Sequence, residues 1–79
     1  MSWLAHHILT ECARDPRQLF SLDELAARID RPAKNVGMAC AALCRRELLE
    51  RPVFGHYRIL PDGLALLDSG KALRSGPAQ

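Results

Sequence analysis

Ser21-Leu22-Asp23-Glu24-Leu25-Ala26-Ala27-Arg28-Ile29-Asp30-Arg31-Pro32-Ala33-Lys34-Asn35-Val36 places two helix starts twelve residues apart, and this spacing decides the fold. Ser21 and Glu24 form a capping box, in which the serine hydroxyl and the glutamate carboxylate satisfy backbone donors of the first turn. Phe20 and Leu25 stand where a hydrophobic staple belongs. A helix is predicted over 21–29, with Leu22, Leu25, Ala26 and Ile29 as its buried stripe. Asp30-Arg31-Pro32 interrupts the pattern, and proline suits the first turn of a second helix because its missing N–H has no partner to lose. That helix is predicted over 33–48. At 100° per residue, Val36, Cys40, Leu43 and Cys44 share one face, while Lys34, Asn35, Met38, Ala42 and Arg45 occupy the opposite one, with Ala41 at the margin. One side packs and the other is presented.

Upstream, Ala5, Ile8, Leu9 and Cys12 recur at three- and four-residue steps, predicting a helix over 3–14 that Asp15-Pro16 ends. Downstream, Leu49-Glu50-Arg51-Pro52-Val53 and His56-Tyr57-Arg58-Ile59-Leu60 flank Phe54-Gly55 and predict a β-hairpin over 50–60. Tyr57 and Ile59 fall on one side of its second strand, His56 and Arg58 on the other. Pro52 lacks a ladder donor, so its strand belongs at an edge. Pro61-Asp62-Gly63 opens a last helix over 62–69, with Leu64, Ala65, Leu67 and Leu66 as apolar candidates and Gly70 as its close. Residues 1–70 read as one domain and 71–79 as a disordered tail.

The chain has 79 residues, 48% hydrophobic and 25% charged, which is one domain's worth of core with little interior to spare for a substrate cavity. Binding modules are favoured over catalysts, and no small-molecule substrate is evident. No apolar run approaches the roughly 20 residues that span a bilayer, and the N-terminus lacks a signal-peptide layout, so a cytoplasmic protein without a membrane partner is expected. No Gly-rich phosphate loop, nucleophile elbow or His-Glu-x-x-His motif points to an enzyme. The net charge of +2 is unevenly spread. Residues 1–30 hold three arginines against five acids, and residues 61–79 balance. Residues 31–60 carry Arg31, Lys34, Arg45, Arg46, Arg51 and Arg58 against Glu47 and Glu50, so the middle third is suited to an anionic partner.

Cys12, Cys40 and Cys44 lack the paired spacing of a disulfide or zinc framework. Cys40 and Cys44, four apart on an inward face, read as core thiols, with a metal-gripping or redox-sensing pair as the alternative. His6-His7 completes no metal site, and no cofactor is expected.

The order helix, helix, tight turn, helix, hairpin, helix resembles the winged helix-turn-helix domain. Val36, Cys40 and Leu43-Cys44-Arg45-Arg46-Glu47-Leu48-Leu49-Glu50-Arg51 are similar to the recognition helix and following strand of bacterial winged-helix regulators. Tyr57-Arg58-Ile59-Leu60-Pro61-Asp62-Gly63-Leu64 resembles the strand-to-helix signature of the multiple-antibiotic-resistance regulator type. The likeness covers roughly residues 8–67. Glu47 stands where that family often has a glycine, Asp30-Arg31 replaces the usual glycine and apolar residue of the inter-helix turn, and the hairpin loop is short. The resemblance implies an α+β, mainly α winged helix-turn-helix fold with a three-helix core, a two-stranded β-hairpin wing and a C-terminal helix.

It also implies a double-stranded DNA-binding module, as in a small transcriptional regulator. In that expectation Lys34 and Asn35 reach base edges, while Met38 and Ala42 meet thymine methyl groups. Arg45, Arg46, Arg51, His56 and Arg58 then take phosphates. A homodimer would join two half-sites, with Trp3, Leu4 and the last helix as exposed surfaces for self-association. Gly37, Met38, Ala41 and Ala42 are small or apolar for a groove-facing surface. They support the alternative of a winged-helix module that docks a protein or dimerises without binding DNA.

Overall fold

Ser2 and Ser21 each start a helix by the same chemistry, their hydroxyls accepting the backbone N–H of Ala5 at 3.1 Å and of Glu24 at 3.0 Å. The computed structural model describes the backbone of residues 1–75 and the side chains of residues 1–69. Its elements are α1 (Trp3–Ala13), β1 (Phe20–Ser21), α2 (Leu22–Ile29), α3 (Ala33–Arg45), β2 (Leu49–Val53), β3 (His56–Ile59) and α4 (Pro61–Ser75). The protein is α+β and mainly α. No helix among the described residues is long and apolar enough to cross a membrane.

The sheet has three strands, one more than the expected hairpin, in the order β1-β3-β2, with both pairings antiparallel. Phe20 pairs with Tyr57 and Ser21 with His56, so the residues read as staple and cap also form a strand. Glu24 makes only half of its expected box: its carboxylate turns to Arg28 at 3.0 Å instead of back to the cap. On the other edge, Leu49 faces Ile59 and Glu50 faces Arg58, and the register then shifts before Val53 meets His56. Pro52 lies in that irregular stretch of an edge strand, where a missing ladder donor costs least.

Two helix ends differ from the sequence expectation. The third helix stops at Arg45, not 48, because Glu47 turns left-handed at φ 60° and the Leu48 N–H bonds back to the Leu43 carbonyl at 3.0 Å. This frees Leu48 and Leu49 to enter the core as the chain becomes a strand. The second helix closes identically: Asp30 sits at φ 61° and the Arg31 N–H reaches the Ala26 carbonyl at 3.2 Å. Thus Asp30 and Glu47 both adopt the left-handed conformation that a glycine would favour. The last helix begins at Pro61 and runs through Gly70, the residue read as its close, to Ser75. Of the expected tail, residues 76–79 lie outside the described residues.

The core joins Ile8, Leu9 and Cys12 of α1 to Phe20, Leu25 and Ile29, to Val36, Cys40 and Leu43 of α3, and to Leu49, Tyr57 and Ile59 of the sheet. Leu64, Leu66 and Leu67 pack against it from α4, whereas Ala65, assigned to the apolar face, points to solvent. Gly63 is where α4 meets the sheet most closely. A Cβ there would come within 2.5 Å of the Leu48 carbonyl and 2.7 Å of Ile59 Cγ1, so only hydrogen fits. Burial pushes the Cys12 and Cys40 thiols up to about 12 from an ordinary value of 9.0, with the Glu11 charge adding to the effect on Cys12. These groups stay protonated near neutrality and are poor nucleophiles and metal ligands.

Two glycine exchanges should act with opposite sign in urea unfolding. Gly63→Ala loses about 1–3 kcal/mol by overpacking, and Glu47→Gly gains roughly 0.5 kcal/mol by relieving a left-handed non-glycine residue at some cost in unfolded-state entropy. The thiols predict a pH effect. Their folded pKa lies above the unfolded one, so their contribution is intact below pH about 9 and is lost as pH rises toward about 12. Between about pH 8 and 10.5 each should cost about 2 kcal/mol, and the Cys12→Ala/Cys40→Ala double variant should show a correspondingly shallower decline.

Candidate nucleic-acid interface

From Arg31 to Arg46 the chain contains four cations and no acidic residue, and α3 occupies most of that stretch. Its inward residues Val36, Cys40 and Leu43 are buried, which turns Lys34, Asn35, Met38 and Arg45 outward. All four are exposed, as is Arg46 at the helix end. Met38 is 65% exposed, a large apolar side chain left in water between cations. Ala42 and Ala41 are half-buried at the flanks of this face. Lys34 and Arg45, three turns apart, are separated by about 16 Å along the axis.

Gly37 is not part of an open small-residue surface. A Cβ there would touch Leu22 Cδ2 at an ordinary contact distance of 3.4 Å, so the position faces α2 at the α2–α3 crossing. The face available to a partner is therefore narrower than the sequence spacing of Gly37, Met38, Ala41 and Ala42 suggests.

The hairpin contributes less uniformly. Arg51 is exposed, lies with its guanidinium 5.8 Å from the centre of the Phe54 ring, and is close enough to Cys44 to offset part of the burial that raises that thiol. Arg51 thereby approaches the end of α3 that bears Arg45 and Arg46. Arg58 is half-buried and its Nε donates to Glu50 Oε2 at 2.9 Å across the strand pair. Its charge is matched within the sheet. The His56 ring Nδ1 sits 3.1 Å from the Phe54 carbonyl. Among the described residues, Lys34, Arg45, Arg46 and Arg51 take no ion pair, so these four carry the unmatched charge of the expected set.

Two cations outside the set are held elsewhere. Arg28 reaches Glu24 at 3.0 Å and Glu11 at 3.9 Å, and Arg31 lies 5.3 Å from the centre of the Trp3 ring. Arg31 is thus drawn toward α1. Asp23 and Glu24 occupy the first turn of α2, where acids suit the helix N-terminus. Of the surfaces considered for self-association, Trp3 is 62% exposed but Leu4 packs against the core.

Sequence reasoning missed Phe54, which is 87% exposed at the hairpin turn, with Val53 beside it 54% exposed. The available signal was an aromatic residue in a two-residue turn, where no neighbouring strand can cover it. Among the described residues no group of three or more His, Cys, Asp or Glu is placed to hold a metal ion. In comparisons of the chain with protein-family models, curated proteins and solved structures, no match was found.

Proposed function

We propose that this protein is a winged-helix module that binds double-stranded DNA through α3, acting as a small transcriptional regulator. The observation that carries this reading is the exposed, acid-free face of α3, on which Lys34, Asn35, Met38 and Arg45 stand together with Arg46 at its end. The element order and the β1-β3-β2 sheet, with a short hairpin beside a helix pair joined by a tight turn, support the winged-helix assignment. An α-helix fits the major groove, and the side chains at its N-terminal end lie nearest the bases. Lys34 and Asn35 occupy the first turn of α3 and supply the donors and acceptors for base edges. Asn35 suits an adenine edge, Lys34 a guanine edge or a phosphate, and Met38 a thymine methyl group. Arg45, Arg46 and Arg51 reach phosphates at the other end and set register and affinity.

A second reading is favoured by one observation, the exposure of Met38: the same face docks a protein or a second copy of the chain. Single winged-helix modules bury limited surface on DNA, so a dimer would also strengthen duplex binding.

The two readings separate experimentally. Duplex binding should weaken steeply with salt, and Arg45→Ala should lower the slope of log K against log salt by about one unit. Arg58→Ala should lower it by much less, because its charge is already matched by Glu50. Binding that ignores salt, or no retardation of mixed-sequence duplex at low salt, would defeat the DNA reading. The docking reading expects concentration-dependent sedimentation of the free protein that Met38→Glu abolishes.

A further inference from the structure

The hairpin turn displays what a folded chain normally hides. Phe54 is 87% exposed and Val53 54%, while Phe20, Leu49, Tyr57 and Ile59 of the strands are buried. Gly55, at φ 77° with open space around it, makes the reversal that holds Phe54 outward. The turn is nevertheless anchored. The Leu22 N–H donates to the Gly55 carbonyl at 2.9 Å, His56 Nδ1 meets the Phe54 carbonyl, and Ser21 pairs with His56. Leu22 is also the side chain that faces Gly37 of α3, so the turn and the candidate interface helix are tied to the same residue. The tip is therefore a braced apolar projection, fixed in relation to α3.

We infer that Phe54 is a wedge that enters a base step of the duplex and partly unstacks it, with Arg51 carried alongside to a phosphate. This rests on the duplex reading above and names the part of the DNA that the hairpin recognises. Two features argue for a base step as the occupant. An aromatic ring inserted between bases exchanges water for π-faces on both sides, which is how apolar wedges open steps. And the ring already carries the Arg51 guanidinium at 5.8 Å, so the projecting apolar group and an unmatched cation arrive together, as a polyanion with an apolar stack requires.

The test uses an alternating TA duplex with 2-aminopurine replacing adenine, since pyrimidine–purine steps open most readily. Binding of the full chain at low salt should raise the 2-aminopurine fluorescence severalfold. Phe54→Ala, at a site exposed enough to spare the fold, should bind about tenfold more weakly with an unchanged salt slope and should leave the fluorescence near that of free duplex. A wild-type protein that binds the duplex without a fluorescence rise overturns the wedge and leaves the DNA reading standing, as does a rise that survives Phe54→Ala. A wild-type protein that retards no duplex overturns both. If Phe54→Ala instead removes only binding to anionic vesicles, the tip is a lipid contact and the wedge is again overturned.

Discussion

Ser21 joins the two halves of this protein. Its hydroxyl caps α2 while its backbone pairs with His56 of β3, and the next residue, Leu22, donates its N–H to Gly55. One peptide unit thus begins a helix and ends a sheet. The placement of the hairpin against α2 follows from this junction, and α3 is packed on α2 through Leu22 and Gly37. Without it the sheet would be a two-stranded ribbon, held to the helices by the core packing of Leu49, Tyr57 and Ile59 and by the Leu60 N–H to Leu48 carbonyl bond.

The electrostatics divide along the same line. Glu11 is nearly buried and faces His7, Arg14 and Arg28 at 3.3–3.9 Å, so α1 and α2 use their charges on one another. A carboxylate at that depth is tolerated because cations surround it. Beyond α2 the pattern reverses: α3 has no acid, and its cations project without partners among the described residues. Residues 1–30 carry an excess of acids, partly paired among α1 and α2, whereas the unpaired cations of the expected set lie on α3 and beside its end.

The small core leaves no slack in this arrangement. Where α4 crosses the strand ends, the Leu48 carbonyl occupies the space a side chain would need at position 63, and left-handed residues at Asp30 and Glu47 turn the chain sharply at the ends of α2 and α3. Each non-glycine residue in that conformation costs about 1–2 kcal/mol. Both strained turns flank α3, so stability is given up to end and orient the helix that presents the cationic face.

Much of this was legible in the residues themselves. Apolar spacing identified the buried face of every helix but the last, where Ala65 was misplaced, and alternation placed Tyr57 and Ile59 inward, because period 3.6 and period 2 are local consequences of backbone geometry. The cap at Ser21 and the edge position of Pro52 were equally local. What tertiary structure alone decided is non-local. Phe20-Ser21 is too short to announce a strand and becomes one only because β3 comes to lie beside it. Glu47 becomes left-handed because Leu48 and Leu49 must reach the core. Arg58 is matched because the strand register puts Glu50 opposite it, and Phe54 is left bare because none of the described residues folds over the turn. Sequence determined which residues seek the interior and where the middle third gathers positive charge; only the packing of elements distant along the chain determined which of those charges remain free to meet a partner, since pairing and exposure depend on neighbours that local pattern cannot specify.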